Sequence, residues 1–329
     1  MAAGRELRLL SVVVPLHDEE DTVRALHERV LAALDGLPFE LVLVDDASRD
    51  LTGELIAQMA AADSRVRVIH LSRNFGHQAA LTAGLEHARG DVVAMLDGDL
   101  QDPPELIVRM LDHWRSGSDV VYGVRTERKG EGRLKLATAR WFYRVFARVA
   151  DLDLRPNSGD FRLLDRSALD ALLSMRERNR FLRGMTVWIG FTQTAVPYER
   201  DARFAGETKY TARRMVRFSL DAISSFSWVP LQAATLLGFL FSMVALLTIP
   251  VVIGLRLAGE TIPGFATVLC LILLIGGIQL ITVGIIGEYV GRIYDEVKGR
   301  PLYLVRETRN FGPEAEQRSQ PAEDLERSL

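Results

Sequence analysis

The chain has 329 residues, which is enough for one large domain and a second, smaller unit. Its formal net charge of −3 argues against a general nucleic-acid-binding protein, so no nucleic-acid partner is expected. Its one cysteine, Cys270, excludes a disulfide framework and indicates a reducing compartment for the soluble part. The apolar run at 9–15 is too short for a signal peptide, so the N-terminal domain is expected to stay in the cytosol.

Apolar strand patterns alternate with helical patterns through the first part of the chain. Strands are predicted at 9–14, 40–44, 66–70, 92–96 and 119–122, with helices between them, for example at 22–34. This alternation is typical of an α/β fold with a mostly parallel sheet.

Acidic residues follow three of these strands: Asp18, Glu19 and Glu20 after the first, Asp45 and Asp46 after the second, and Asp97 and Asp99 after the fourth. Parallel strands end at one edge of a sheet, where α/β proteins bind their ligands. Gly98 allows a sharp turn, so that Asp97 and Asp99 can both reach one Mg²⁺ or Mn²⁺ that also holds phosphate oxygens. The alternative is a surface turn rich in Asp and Gly, which the placement of the acids after strands disfavours.

The segment 73–85 lies between the third and fourth strands and has features of an anion site. Arg73 can neutralise a phosphate, and Gly76 permits close approach of the backbone. A helix that starts near His77 directs its N-terminal amides at an anion. His77 itself is interpreted as a solvated loop histidine rather than a catalyst, because the sequence reveals no partner for it.

Basic residues are frequent after the fifth strand. Residues 133–150 are basic and aromatic, and their spacing fits an interfacial membrane helix and an ordinary amphipathic surface helix equally well. Four arginines at 176, 178, 180 and 183 exceed what a solvated face needs. Asp160 follows a glycine and precedes a short strand-like run, a pattern that also fits a structural Asp turn.

Between residues 222 and 255 the chain contains no Asp, Glu, Lys or Arg. Two apolar helices are predicted, at about 231–255 and 262–287, each long enough to cross a hydrocarbon core of about 30 Å. Cationic residues flank both outer ends, so both termini are expected in the cytoplasm. A buried hairpin is the alternative, which the length of the two stretches disfavours.

Four motifs, at 15–20, 45–50, 73–76 and 97–105, together resemble those of the inverting family 2 glycosyltransferases, which have a GT-A fold. More narrowly, they resemble the polyprenyl-phosphate (dolichol-phosphate-type) glycosyltransferases, and among these the bacterial prenyl-phosphate glucosyltransferases. The family usually has an aromatic residue and then Asn where this chain has His17 and Asp18.

The resemblance implies a role for each motif residue. The residues expected to bind the nucleotide sugar are Pro15, Asp18, Glu19, Glu20, Asp46, Arg73, Asp97, Gly98 and Asp99. Asp97, Asp99 and Gln101 are expected to surround a Mg²⁺ or Mn²⁺ ion. Asp99 and Asp160 are the predicted catalytic residues, with Asp160 beside the acceptor. The phosphate and acceptor ligands are expected to be Ser158, Arg162, Arg203, Thr208 and Lys209.

The implied domain organisation covers nearly the whole chain. Residues 1–210 form a cytoplasmic GT-A domain, 211–228 a juxtamembrane helix, and 229–291 the two transmembrane helices of a protein of the plasma (inner) membrane. Residues 292–329 form a cytoplasmic tail that is partly disordered. Glycines at 276, 277, 284 and 287 could let helices pack closely, within the chain or in a homo-oligomer.

The implied reaction transfers a sugar from a nucleotide sugar to a polyprenyl phosphate, and UDP-glucose is the leading donor. GDP-mannose and other UDP-sugars stay open, because linear motifs do not give the shape of the pocket. A processive polysaccharide synthase is disfavoured, because Arg140-Trp141 precedes Asp160 and two helices cannot enclose a channel. An inactive scaffold that binds nucleotide sugars is disfavoured by the combined presence of Asp97, Asp99, Asp160, Arg203 and Lys209.

Overall fold

The computed structural model describes residues 5–126, 158–200, 229–258 and 264–312. Two compact units are present. The described residues between 5 and 200, together with 301–312, form the first, which we call the sheet unit. Residues 229–258 and 264–300 form the second, the helix-pair unit.

The sheet unit contains an eight-stranded sheet with the order β7-β5-β6-β4-β1-β2-β3-β8. Its strands are β1 Leu10–Leu16, β2 Phe39–Asp45, β3 Val66–Leu71, β4 Val92–Met95, β5 Val120–Arg125, β6 Ser158–Asp165, β7 Gln193–Tyr198 and β8 Val305–Arg309. Its described helices are α1 Val23–Ala33, α2 Thr52–Ala62, α3 His77–His87, α4 Leu106–Arg115, α5 Arg166–Ser174 and α6 Leu182–Trp188.

The centre of the sheet is parallel. Strand β1 lies between β4 and β2, β2 also pairs with β3, and β5 pairs with β7, all in the parallel sense. Strand β6 runs antiparallel between β4 and β5. The predicted α/β fold with a mostly parallel sheet is therefore confirmed, and each of the five predicted strands is present with shifted ends.

Helices cover both faces of the sheet, which explains why neighbouring residues such as Val12 and Val13 are both fully buried. The first face packs against α1, α2 and α4. On the other face α3 lies so close to β1 and β2 that a Cβ at Gly84 would be 2.3 Å from Val13 Cγ1. This close approach packs the C-terminal half of α3 directly on the sheet.

Strand β8 is an element that the sequence did not predict. It follows the helix-pair unit in the chain and pairs antiparallel with β3, with His70 opposite Glu307. The Asn310 side-chain amide donates to the carbonyls of Ala60 and Val66, at 2.7 Å each. Three of the five β8 residues are charged, which is common in an edge strand but hides it from apolar pattern analysis.

The helix-pair unit consists of α7 Val229–Leu257 and α8 Phe265–Val297, which contact each other. Their described apolar side chains are largely exposed, with Phe239 at 77% and Leu280 at 76%. One stretch among the described residues, Leu274–Val297, is long and apolar enough to cross a membrane. Two membrane spans therefore stay a prediction, and the predicted helices at 133–150 and 211–228 lie outside the described residues.

Candidate functional site

The loops after β1 and β2 are hydrogen-bonded to each other at the carboxyl edge of the sheet. The contacts are Asp18 N to Ser48 Oγ (3.1 Å), Arg49 N to Asp18 Oδ1 (2.8 Å), Glu19 N to Thr52 Oγ1 (2.9 Å) and Leu51 N to Glu20 Oε2 (2.9 Å). Asp18 adopts a positive φ of 53°, and Pro15 is buried within β1 opposite Val44. The two loops thus form one continuous hydrogen-bonded surface at the carboxyl edge of the sheet.

Asp46 organises the neighbouring loop between β3 and α3. The residue is 2% exposed, and its carboxylate accepts the backbone N–H groups of Phe75 at 2.7 Å and Gly76 at 2.8 Å. His17 Nδ1 donates to the Asp46 carbonyl at 3.0 Å, because that carbonyl can only accept. The Arg73 guanidinium stacks over the Phe75 ring, 4.2 Å from its centroid. The loop between β3 and α3 is therefore held against the carboxyl edge of the sheet by Asp46, just before the N-terminus of α3.

The segment Asp97-Gly98-Asp99 follows β4 and packs against the end of β1. A Cβ at position 98 would lie 2.6 Å from Leu16 Cδ2, so glycine allows the backbone to approach β1 this closely. Partial burial raises the pKa of Asp97 to about 6; His77 opposes that shift, and the carboxylates of Asp160, Asp102 and Asp99 add to it. Ionisation of the Asp97 carboxyl group is therefore costly at this edge unless a cation lies beside it.

The buried Asp102 carboxylate, three residues after Asp99, connects this segment to neighbouring strands. Its side chain is fully buried and accepts the Tyr198 hydroxyl at 2.5 Å and Arg125 Nη2 at 3.4 Å. Arg200 lies between two carboxylates, 3.7 Å from Asp102 Oδ1 and 3.6 Å from Asp99 Oδ2. Burial beside Asp102 raises the pKa of Tyr198, so the phenol stays protonated and donates. These contacts tie the turn after β4 to β5 and β7.

Asp160 reaches the same edge from the antiparallel strand β6. Because Met95 pairs with Arg162, continuation of the register by two residues places Asp160 opposite Asp97. Arg183 lies 3.2 Å from Asp160 Oδ1 through its Nη2 atom. Burial tends to raise the pKa of Asp160, but Arg183, His77 and Arg162 outweigh it and hold the pKa below its usual range. Asp160 is therefore ionised at neutral pH.

His77 connects the carboxylates of β4 and β6. Its Nε2 atom lies 3.6 Å from Asp97 Oδ1 and 3.8 Å from Asp160 Oδ2. The interpretation of His77 as a solvated loop histidine overlooked these partners, although almost half of its side chain is exposed. Only the strand register could have revealed them, because the two acids lie 20 and 83 residues further along the chain.

The remaining predicted residues are distributed as follows. Ser158 is buried at the start of β6, and Gln101 is nearly buried, with its backbone N–H 3.2 Å from Asp99 Oδ1. Arg162 is 1% exposed and donates to Thr186, and burial lowers its pKa to about 10. Its role as a phosphate ligand stays a prediction. The predicted phosphate ligands Arg203, Thr208 and Lys209 lie outside the described residues.

Comparison with known proteins gives consistent matches. Residues 11–173 match the family described as glycosyl transferase family 2. The uncharacterized glycosyltransferase YkcC of Bacillus subtilis is 44% identical over 301 residues, which are 91% of this chain and 93% of that protein. The SfII prophage-derived bactoprenol glucosyl transferase of Shigella flexneri is 37% identical over 307 residues, 92% of this chain and 99% of that protein.

Among solved structures, mannosyl-3-phosphoglycerate synthase from Rubrobacter xylanophilus matches 66% of this chain and 72% of its own, with a TM-score of 0.45 and 21% identity. This similarity is too distant to carry an argument, and the family is shown by the sequence matches, which cover 91% and 92% of the chain. The membership predicted from the motifs is thereby confirmed, and the chain belongs to glycosyl transferase family 2.

Proposed function

We propose that the protein transfers glucose from UDP-glucose to a polyprenyl phosphate, with inversion at the anomeric carbon. The observation that supports this most directly is the meeting of two acidic groups at one sheet edge. Asp97 and Asp99 follow β4, and Asp160 faces them from β6 across His77. The named activity of the 37% identical bactoprenol glucosyl transferase supports both the sugar and the lipid acceptor.

Asp97 and Asp99 form the donor half of the proposed site, and their oxygens fit a Mg²⁺ or Mn²⁺ ion. The fit follows from the donor chemistry, because Asp97 and Asp99 flank Gly98 directly after β4 and carboxylate oxygens are the hard ligands that such ions prefer. Within the described ranges, no three His, Cys, Asp or Glu side chains are grouped to hold a metal. Diphosphate oxygens of the nucleotide sugar would complete the coordination of the ion. Gln101 lies next to Asp99, whose Oδ1 atom is 3.2 Å from the Gln101 backbone N–H. When bound, such an ion stabilises the negative charge of the departing nucleoside diphosphate.

Asp160 belongs to the acceptor half. A phosphate monoester has a second pKa near 6, so a lipid phosphate is largely dianionic at neutral pH and needs little deprotonation. We therefore assign Asp160 to orienting the acceptor. Arg183 balances its charge at 3.2 Å, which limits repulsion of the incoming phosphate. Ser158, Arg162, Arg203, Thr208 and Lys209 are the proposed phosphate and acceptor ligands.

The acceptor also sets the proposed location. A polyprenyl chain stays in lipid while its phosphate sits at headgroup depth, so the enzyme works from the membrane surface. We propose that α7 and α8 both cross the plasma (inner) membrane and that the catalytic domain and both termini are cytoplasmic. The exposed apolar side chains of both helices and the candidate span Leu274–Val297 support this placement. Homo-oligomer formation through the glycines of α8 is a further hypothesis.

The proposal is tested by incubating the purified full-length protein with radiolabelled UDP-glucose, Mn²⁺ and polyprenyl phosphate. Label that enters the organic phase, with an inverted anomeric configuration by NMR, supports the proposal. Insoluble labelled polymer instead indicates a polysaccharide synthase. No transfer from UDP-glucose, UDP-galactose, UDP-N-acetylhexosamines or GDP-mannose indicates a scaffold and overturns the proposal. Transfer of another sugar corrects only the donor.

Metal binding to the protein alone is expected to be weak. Because the protein supplies few ligands, UDP should raise the affinity for Mn²⁺ by about 5- to 150-fold, a coupling of roughly 1–3 kcal/mol. Isothermal titration of Mn²⁺ with and without UDP measures this difference. Asp99→Asn should remove the effect of UDP, whereas Asp112→Asn, on the exposed side of α4, should retain it. Tight Mn²⁺ binding without nucleotide contradicts the shared site.

A further inference from the structure

The two oxygens of the Asp160 carboxylate have different neighbours. Arg183 contacts only Oδ1, with Nε at 3.3 Å and Nη2 at 3.2 Å. Oδ2 faces the side-chain amide of Gln78 at 3.5 Å and His77 at 3.8 Å. Since His77 also approaches Asp97, Oδ2 lies on the side of the donor carboxylates. The carboxylate is thus oriented by its contacts.

Gln78 also fixes the helix that carries Arg183. Its Oε1 atom accepts the backbone N–H of Leu182 at 3.0 Å, at the start of α6. Its Nε2 atom faces Asp160. Gln78 on α3, Leu182 and Arg183 on α6, and Asp160 on β6 therefore form a closed ring of contacts within the sheet unit. We call these four residues the carboxylate clamp.

The ion pair between Arg183 and Asp160 in the carboxylate clamp is largely buried. The side chains of Arg183 and Asp160 are 22% and 17% exposed, so most of each charged group is shielded from water. A partly buried pair is screened less by salt than an exposed one, and its side chains lose less entropy when already packed. Thr186, on the same short helix, donates to the Arg183 carbonyl at 3.0 Å and accepts from the buried Arg162.

We propose that Arg183 and Gln78 are positioning residues for sugar transfer, which keep the Asp160 carboxylate turned with Oδ2 toward the donor side. This inference rests on the proposed function. Arg183 also balances the carboxylate charge, so that a dianionic acceptor phosphate can approach. Neither residue needs to touch the acceptor itself. Their effect on the reaction should therefore pass through Asp160.

The test compares Arg183→Gln, Asp160→Asn and the double variant in the full-length protein, using the sugar that the wild type transfers. Arg183→Gln should lower kcat by about 10- to 100-fold, the cost of a misplaced group, with the KM for donor nearly unchanged. In the Asp160→Asn background the same change should cost less than about twofold, because the two act as a unit. Arg183→Lys should retain part of the rate, and Arg176→Gln, an exposed arginine nearby, all of it.

Gln78→Glu tests the second positioning residue. The substitution keeps an acceptor for Leu182 N–H but directs a carboxylate at Asp160 Oδ2. We expect kcat to fall by about tenfold, and the melting temperature to fall slightly because two carboxylates then face each other. An unchanged kcat for Gln78→Glu would show that Gln78 does not position the Asp160 carboxylate.

Equal losses from Arg183→Gln in the wild type and in Asp160→Asn overturn the proposal, because Arg183 would then act independently of Asp160. A wild-type protein without transfer activity overturns the proposed function but not the clamp. The clamp is then tested by thermal unfolding of the wild type, Arg183→Gln, Asp160→Asn and the double variant. The two substitutions should lower the melting temperature less together than the sum of their separate effects, and additive effects overturn it.

Discussion

Asp99→Ala is expected to abolish sugar transfer, whereas Asp160→Asn should remove most turnover and leave donor binding intact. Asp99 belongs to the donor half, where loss of a carboxylate removes a ligand for metal and diphosphate. Asp160 belongs to the acceptor half, and asparagine keeps its size but carries no negative charge to balance the Arg183 cation, which lies 3.2 Å from Oδ1. We expect a loss of about 10²-fold or more in kcat for Asp160→Asn, because the acceptor phosphate loses the group that orients it. Organic-extractable label measures transfer.

Donor binding in the same variants is measured separately by thermal stabilisation with the nucleotide sugar and Mn²⁺. Asp160→Asn should show the wild-type stabilisation, and Asp99→Ala should show none. Asp112→Asn replaces an exposed aspartate of α4 and serves as the matched control for charge. Normal turnover in Asp160→Asn would refute the acceptor-side assignment. Normal stabilisation of Asp99→Ala would refute the donor-side assignment.

The parts of the site that depend on local pattern were predictable from the sequence. Strands β1, β2 and β4 are apolar runs that end in acids, and their parallel pairing follows from the intervening helices. Gly98 signalled a tight turn, and the structure gives the reason in its approach to Leu16. The convergence of Asp46, Asp97 and Asp99 at one edge follows from these local features alone.

The contacts between distant parts of the chain were not predictable in the same way. Four arginines lie close together at 176–183, and nothing in their spacing distinguishes Arg183, the one that pairs with Asp160. Gln78 is an ordinary helix residue until the fold places it between α6 and β6. Such pairings depend on the antiparallel register of β6, which a pattern of single residues does not specify.

Strand β8 shows the same limit at the other edge of the sheet. Besides pairing with β3, its segment holds the start of the loop that carries Arg73, because Ser72 N donates to the Leu304 carbonyl at 2.9 Å. The Tyr303 hydroxyl donates to Glu86 on α3. Phe311 packs edge-on against His87. The chain after α8 therefore supports the loop that contains Phe75 and Gly76, which bind Asp46, and the helix α3 that carries His77 and Gln78.

Ending the chain after Arg300 is expected to destabilise the sheet unit and abolish transfer, while ending it after Gly312 preserves both. The shorter chain loses β8 and leaves the edge of β3 and the carbonyls of Ala60 and Val66 without their partners. We expect a loss of about 3 kcal/mol or more, roughly 6–12 °C in melting temperature. Thermal unfolding and label transfer measure both effects. Equal stability of the two truncated proteins would show that β8 does not brace the site.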